Sequence, residues 1–224
     1  SRYGTFYGSN LTPDPTTGLG GWSFEDFQRA MTKGKGPDGA YWPAFPYTSF
    51  QGMTEADLRD LWAYLQTLPP VERPNQAHDV ARKYRGKLGL WRTFVYSRKG
   101  WSPDRQATDE VNRGSYLANT IGHCGECHTG RSRYGKLQAR RWYAGNADPP
   151  EPSPNITPHD DGIGGWSQGD IVDLLDLGMT PEGDFVGKGM ARLVEHGTSP
   201  LSQEDKEALA AYLLSLEPIP SETD

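Results

Sequence analysis

Cys124-Gly125-Glu126-Cys127-His128 is the stretch on which the reading of this chain turns. It spells C-x-x-C-H, the attachment pattern for a c-type haem. Two thiols at this spacing can add across the vinyl groups of one rigid macrocycle as thioethers. The adjoining imidazole can then bind the iron from one face. Cys124 and Cys127 are the only cysteines in 224 residues. Other chemistries also use a C-x-x-C pair. Four-ligand zinc needs two more ligands, and the sequence holds no second Cys pair and no H-x-x-x-H. A dithiol redox pair needs no trailing His, and no thioredoxin-like βαβ pattern surrounds it. Haem c therefore leads, ahead of zinc and thiol redox.

Working outward from the motif, the chain repeats itself. Asn10-Leu11-Thr12-Pro13 precedes Gly20-Gly21-Trp22-Ser23, and Asn155-Ile156-Thr157-Pro158 precedes Gly164-Gly165-Trp166-Ser167. Ala63-Tyr64-Leu65 matches Ala211-Tyr212-Leu213 in the same order. Three matched blocks argue for two copies of one domain, spanning 1–75 and 109–224 with a linker over 76–108.

The helical patterns correspond too. Ser23-Phe24-Glu25-Asp26 reads as a capping box ahead of Phe24, Phe27 and Met31, with Gly34 as the stop. Ser167 with Asp170 opens the counterpart, which carries Ile171, Leu174 and Leu175 and stops near Gly178. Thr54 with Asp57 opens a helix with Leu58, Leu61, Leu65 and Leu68 at helical spacing, ended by Pro69-Pro70. Ser202 with Asp205 opens its counterpart, with Leu209, Tyr212, Leu213 and Leu216, ended by Pro218. A helix from Asp109 to Ile121 is expected to lead into the haem motif and to bury Val111, Tyr116, Leu117 and Ile121. No stretch alternates as a strand, so the expected class is mainly α.

Composition sets the outer bounds. The chain has 27 Gly and 18 Pro and only 35% hydrophobic residues, so it is loop-rich, and a covalent haem would add apolar bulk. The net charge is −6 with no basic tract, which argues against a nucleic-acid partner. No run of 18 apolar residues is present, so no membrane span is expected. No signal peptide is visible. The 76–108 segment stands out, with Arg82, Lys83, Arg85, Lys87, Arg92, Arg98 and Lys99 among five aromatics. It reads as a partly helical linker with solvated charges, or as a docking patch for an acidic partner or for haem propionates.

Gly114-Ser115-Tyr116-Leu117, Gly122-His123-Cys124-Gly125-Glu126-Cys127-His128-Thr129 and the Asn155–Ser167 blocks resemble the multi-haem cytochrome c subunits of bacterial alcohol, gluconate and aldehyde dehydrogenases. The likeness covers nearly the whole chain. It implies tandem class I cytochrome c domains in the periplasm, which take electrons from a dehydrogenase catalytic subunit and pass them to a downstream acceptor. It further implies that Asn155, Thr157 and Trp166 lie in the segment lining the haem; loop capping and core packing are the plainer roles for the same residues. In such domains the second iron ligand comes from a loop shortly before the last helix. Met190, within Gly187-Lys188-Gly189-Met190, fits that place, and glycines let backbone approach a planar cofactor. Met179, His159 and His196 are the other candidates. A His/Met pair suits electron transfer. The far nitrogen of His128 should find a backbone carbonyl around Pro149-Pro150 or Pro154. No catalytic residue is expected in this reading.

The first copy departs from the family. The place of its own C-x-x-C-H, counted back from Asn10, falls before Ser1, and its first helix is missing as well. The family pattern near the ligand runs Tyr-Pro-Ala-Met-Pro-Tyr, where this chain has Trp42-Pro43-Ala44-Phe45-Pro46-Tyr47. Phe cannot bind iron. The first copy is thus incomplete, either haemless or preceded by a segment carrying a second haem, and one haem c is expected in this chain. A dihaem enzyme of the thiosulfate-oxidising or peroxidase-like kind, or a gas-binding haem protein, is the alternative.

Overall fold

Hydroxyl caps fix where the main helices of this chain begin. In the computed structural model, which describes residues 3–84, 86–96, 99–147 and 152–221, each of these caps accepts a bond from a backbone N–H three residues on. Arg85, Arg98 and Pro149-Pro150 lie outside the described residues, as does the side chain of Lys188. The described residues are mostly helical and divide into two compact units, 1–100 and 101–224.

In unit 1, Ser23 makes the reciprocal capping box with Asp26 and starts α1 (Phe24–Lys33), which ends at Gly34 in the left-handed region. Phe27 and Met31 of the expected stripe are buried, with Ala30 beside them, and Phe24 is half-buried. A short hairpin comes next, β2 (Lys35–Gly36) on β3 (Gly39–Ala40), after the earlier β1 (Gly4–Thr5). It leads to α2 (Tyr47–Phe50) and α3 (Glu55–Thr67), the latter capped by Thr54. Leu58 and Leu65 of α3 join Leu19, Phe27 and Met31 in the core. β4 (Asp79–Val80) pairs antiparallel with β1, and α4 (Leu88–Phe94) closes the unit.

The described residues between 76 and 100, read from the sequence as part of a linker, are held by unit 1. Arg92 donates to the carbonyls of Lys33 (2.6 Å) and Gly34 (3.2 Å), which α1 leaves without helical partners. Tyr96 donates to Gln51 Oε1 at 2.9 Å. From residue 101 onward the contacts change unit: Trp101 Nε1 donates to Ser115 Oγ at 3.1 Å.

In unit 2, α5 (Asp109–Tyr116) crosses the last helix so closely that Gly114 lies on the carbonyl of Ala208. Beyond α5 the chain takes a single π turn over 117–121, and Gly122 N donates to Leu117 O at 2.8 Å. Tyr116 and Leu117 are buried as expected. Val111 is half-buried, and Ile121 is 40% exposed. The extra residue of a π turn rotates the succeeding side chains off the helical stripe. The remaining helices are α6 (Gly125–His128), α7 (Gln168–Leu177), α8 (Lys188–Leu193) and α9 (Gln203–Leu214). Ser167 and Asp170 form the second capping box, and Gly178 is the left-handed stop.

The same bonding pattern recurs in both units. Asn10 Oδ1 accepts from Thr12 N and Oγ1, while its amide donates to Val71 O at 2.7 Å. Asn155 Oδ1 accepts from Thr157 N and Oγ1, both at 2.8 Å, and its amide donates to Ile219 O at 2.7 Å. Tyr41 N donates to Gly34 O, and Val186 N donates to Gly178 O. One difference is the outer face of α3: Asp60, Ala63 and Tyr64 are exposed, whereas at the places the sequence matches to them on α9 Ala208 is buried and Ala211 and Tyr212 are half-buried.

Candidate haem-binding site

The π turn delivers the chain to Cys124. His123 sits at positive φ, a conformation uncommon for a non-glycine residue. Cys124 then caps α6, a single turn whose His128 N donates to Cys124 O at 2.9 Å. That turn puts both sulfurs and the imidazole within five residues of rigid backbone. No disulfide joins the two thiols. Burial pushes the Cys124 thiol up to about 11, so it is held as the neutral thiol, and Cys127 is exposed.

His128 Nδ1 lies 2.8 Å from Pro154 O. The carbonyl can only accept, so Nδ1 carries the proton and Nε2 is the nitrogen left to ligate. Burial lowers the His128 pKa, against the opposing pull of the Pro154 carbonyl, and this favours the neutral ring that a metal needs. Of the carbonyls expected to play this part, Pro154 does so; Pro149-Pro150 fall outside the described residues. Two unbridged thiols, one oriented neutral imidazole and a rigid turn fit the covalent and axial demands of haem c. Among the described residues no group of three or more His, Cys, Asp and Glu lies together as a metal site.

Around the motif lie partners that sequence reasoning did not find. Trp142 packs on α6 so closely that a Cβ on Gly125 would sit 2.7 Å from its ring. Asn119 Oδ1 accepts from Trp142 Nε1 (3.2 Å) and from Tyr143 OH (3.0 Å), and its amide donates to Tyr212 OH at 2.9 Å. Burial raises the Tyr143 hydroxyl well above its ordinary value, so it stays a donor. A lone Asn on a helix carries no sequence signal for such a hub.

The 224 residues have relatives among known proteins. The chain is 41% identical over 216 residues to a diheme cytochrome c-type protein of Cereibacter sphaeroides, covering 94% of this chain and 71% of that one. The chain belongs to the c-type cytochromes. The cytochrome is also 37% identical over 233 residues to the cytochrome c subunit of a quinone-dependent alcohol dehydrogenase from Gluconobacter oxydans, covering 98% of this chain and 48% of that subunit. To the gluconate 2-dehydrogenase cytochrome c subunit of Pantoea cypripedii it is 35% identical over 227 residues, 95% of this chain and 51% of that one. It thus spans about half the length of those two subunits. No protein-family model matches the chain.

The other expected site residues are spread over unit 2. Asn155 and Thr157 are buried and clamp the backbone of Ile219, and Trp166 packs on the unit 2 core. Met190 is half-buried on α8. Met179 bridges to Phe185, and His159 accepts from Asp161 N at 3.1 Å. The side chain of His196 is 73% exposed.

Proposed function

We propose that this cytochrome is a periplasmic one-electron carrier that takes electrons from a dehydrogenase and passes them to a downstream acceptor. Cys124 and Cys127 hold one haem c, and His128 and Met190 bind its iron. The observation that carries the reading is the C-x-x-C-H turn with His128 Nδ1 on the Pro154 carbonyl. The haem supplies one-electron Fe(III)/Fe(II) cycling. The protein orients the imidazole, fixes its tautomer and keeps the ring neutral. The dehydrogenase partner is supported by relatives named as dehydrogenase cytochrome subunits. No helix of the described residues is long and apolar enough to cross a membrane.

The choice of Met190 rests on the repeat. Asn10 and Asn155, and Tyr41 and Val186, hold matching bonds at the same separation in sequence, and that separation carries Phe45 onto Met190. Phe45 packs against the unit 1 core, with Tyr41 and Phe50 at ring-centroid distances of 5.9 and 5.6 Å. We read the two units as two copies of one cytochrome c-like domain, the first with Phe45 in the ligand place. The exposure of His196 argues against it as the ligand.

The test is Met190→Ala in the matured protein. It should abolish the Met–Fe(III) charge-transfer band at the red end of the visible spectrum and lower the reduction potential, because His/Met ligation raises it. His196→Ala should change neither. An unaltered band and potential in Met190→Ala would sink the ligand assignment.

A further inference from the structure

The segment that leaves the haem motif has an unusual charge. Residues 129–141 hold Arg131, Arg133, Lys136, Arg140 and Arg141 and no acidic residue. They stand in a unit with 10 Lys and Arg against 20 Asp and Glu, a net −10. The segment is built as a tight hairpin. Arg131 bridges Leu137, Ser132 N donates to Lys136 O at 2.8 Å, and Gln138 N donates to Gly130 O at 3.0 Å. The hairpin is fastened to the motif itself. Arg131 pairs with Glu126 of α6 and donates to Gly135 O at 3.0 Å, and Gly145 N donates to His128 O at 3.0 Å.

What the hairpin does not use, it presents to solvent. Tyr134 is 61% exposed at its tip. The Arg133 guanidinium lies 4.7 Å from the Tyr134 ring centroid and donates to its hydroxyl. Lys136 and Arg140 are exposed and form no ion pair among the described residues. An exposed tyrosine stiffened by an arginine pairs two residue types enriched at interfaces, and the unpaired cations that flank it suit the polar rim. Its order before binding lowers the entropic cost of docking.

We propose that this hairpin, with Arg140, is the docking surface for an acidic redox protein that exchanges electrons with the haem at His128. The proposal rests on the electron-carrier reading above. Charge complementarity selects an acidic protein over an anionic membrane. Three cations contribute about 1 kcal/mol each at a lipid surface, and the net −10 of the same unit opposes them. A protein partner smaller than the unit feels the local patch and, beyond roughly a Debye length of 10 Å at 0.1 M salt, little else.

The test is stopped-flow oxidation of the reduced cytochrome by oxidised plastocyanin, an acidic blue-copper protein, with Fe(II) giving one electron to Cu(II). The wild-type rate should fall as salt is added, although both proteins carry net negative charge. Arg133→Glu/Lys136→Glu/Arg140→Glu should slow the reaction at least tenfold at low salt, invert the salt dependence and leave spectrum and potential unchanged. Tyr134→Ala should slow it at every salt concentration. A wild-type rate that rises with salt, or a charge-reversed rate equal to wild type, overturns the proposal. So does a variant that reacts normally but loses binding to phosphatidylglycerol vesicles, which would make the patch a lipid contact. Oxidation by cationic cobalt(III) tris-phenanthroline is the control. Failure of the wild type to react with either oxidant would strike the electron-carrier reading, whereas normal reaction with the cobalt complex alone strikes only the docking surface.

Discussion

Asn155 does for the end of the chain what Asn10 does for residue 71, holding a returning strand of backbone by one amide donor while its oxygen fixes the threonine two residues on. The two differ in burial. Asn155 and Thr157 are buried, and Asn10 is only half-buried. Losing a partner inside leaves a polar group stranded, which costs about 1–3 kcal/mol. Asn155→Ala should therefore lower stability by about that much in urea denaturation, and Asn10→Ala by less. Equal effects would show that burial is not what gives the clamp its value. The capping carboxylates make a second prediction at this scale. Bonds from Ser167 hold Asp170 below its ordinary value, and bonds from Ser23 do the same for Asp26. A carboxylate depressed in the folded state stabilises above its unfolded pKa, and the benefit is lost as pH falls through the folded value. Helical circular dichroism should thus drop below about pH 4 in the wild type. Asp26→Asn and Asp170→Asn should start from lower stability and show a flatter acid limb. An acid limb unchanged in both variants would mean other groups control it.

At the scale of elements, the crossing of α5 and α9 is set by one glycine. A Cβ on Gly114 would stand 1.8 Å from the carbonyl oxygen of Ala208, so the helices must part for any side chain there. Overpacking of this kind costs about 1–3 kcal/mol and more where backbone is the obstacle. Gly114→Ala should lower the thermal midpoint clearly, while Gly165→Ala, with nothing within 4 Å of its Cβ, should leave it nearly unchanged. A neutral Gly114→Ala would contradict the packing described. Legibility in the sequence differs by element. The four caps, the two glycine stops and the buried stripes of α1, α3, α7 and α9 arise from local chemistry, and local chemistry is written in neighbouring residues. The π turn after α5 is not, because inserting one residue into a helix leaves the pattern readable while moving Ile121 outward. Nor was the Asn119 hub legible, since its partners Trp142, Tyr143 and Tyr212 come from distant parts of the chain. Of the site, the motif and the Pro154 carbonyl could be read ahead. The basic hairpin could not be placed, because its importance lies in the Arg131–Glu126 pair that ties it to α6.

For the whole molecule, the distribution of chemistry between the units supports the proposal of one haem in these 224 residues. Unit 1 contains no cysteine, and its single histidine, His78, accepts a bond from Tyr7 N at 3.2 Å with its ring 5.3 Å from that of Phe6. Unit 2 contains both thiols and the oriented His128. Charge is divided as well: unit 1 has 13 Lys and Arg against 9 Asp and Glu, net +4, whereas unit 2 is net −10. Two thiols make two thioether bonds, which is the complement of one macrocycle. The pyridine haemochrome assay of this chain, matured with a haem-attachment system, should therefore give one haem per polypeptide, and the intact mass should show one haem increment. Cys127→Ala should keep a haem on a single thioether with its haemochrome band shifted to the red, because one vinyl group stays conjugated. Cys124→Ala/Cys127→Ala should show no covalent haem at all. Two increments on the wild-type chain, or a covalent haem that survives the double substitution, would place an attachment chemistry outside the motif and undo the assignment of the site to Cys124, Cys127 and His128.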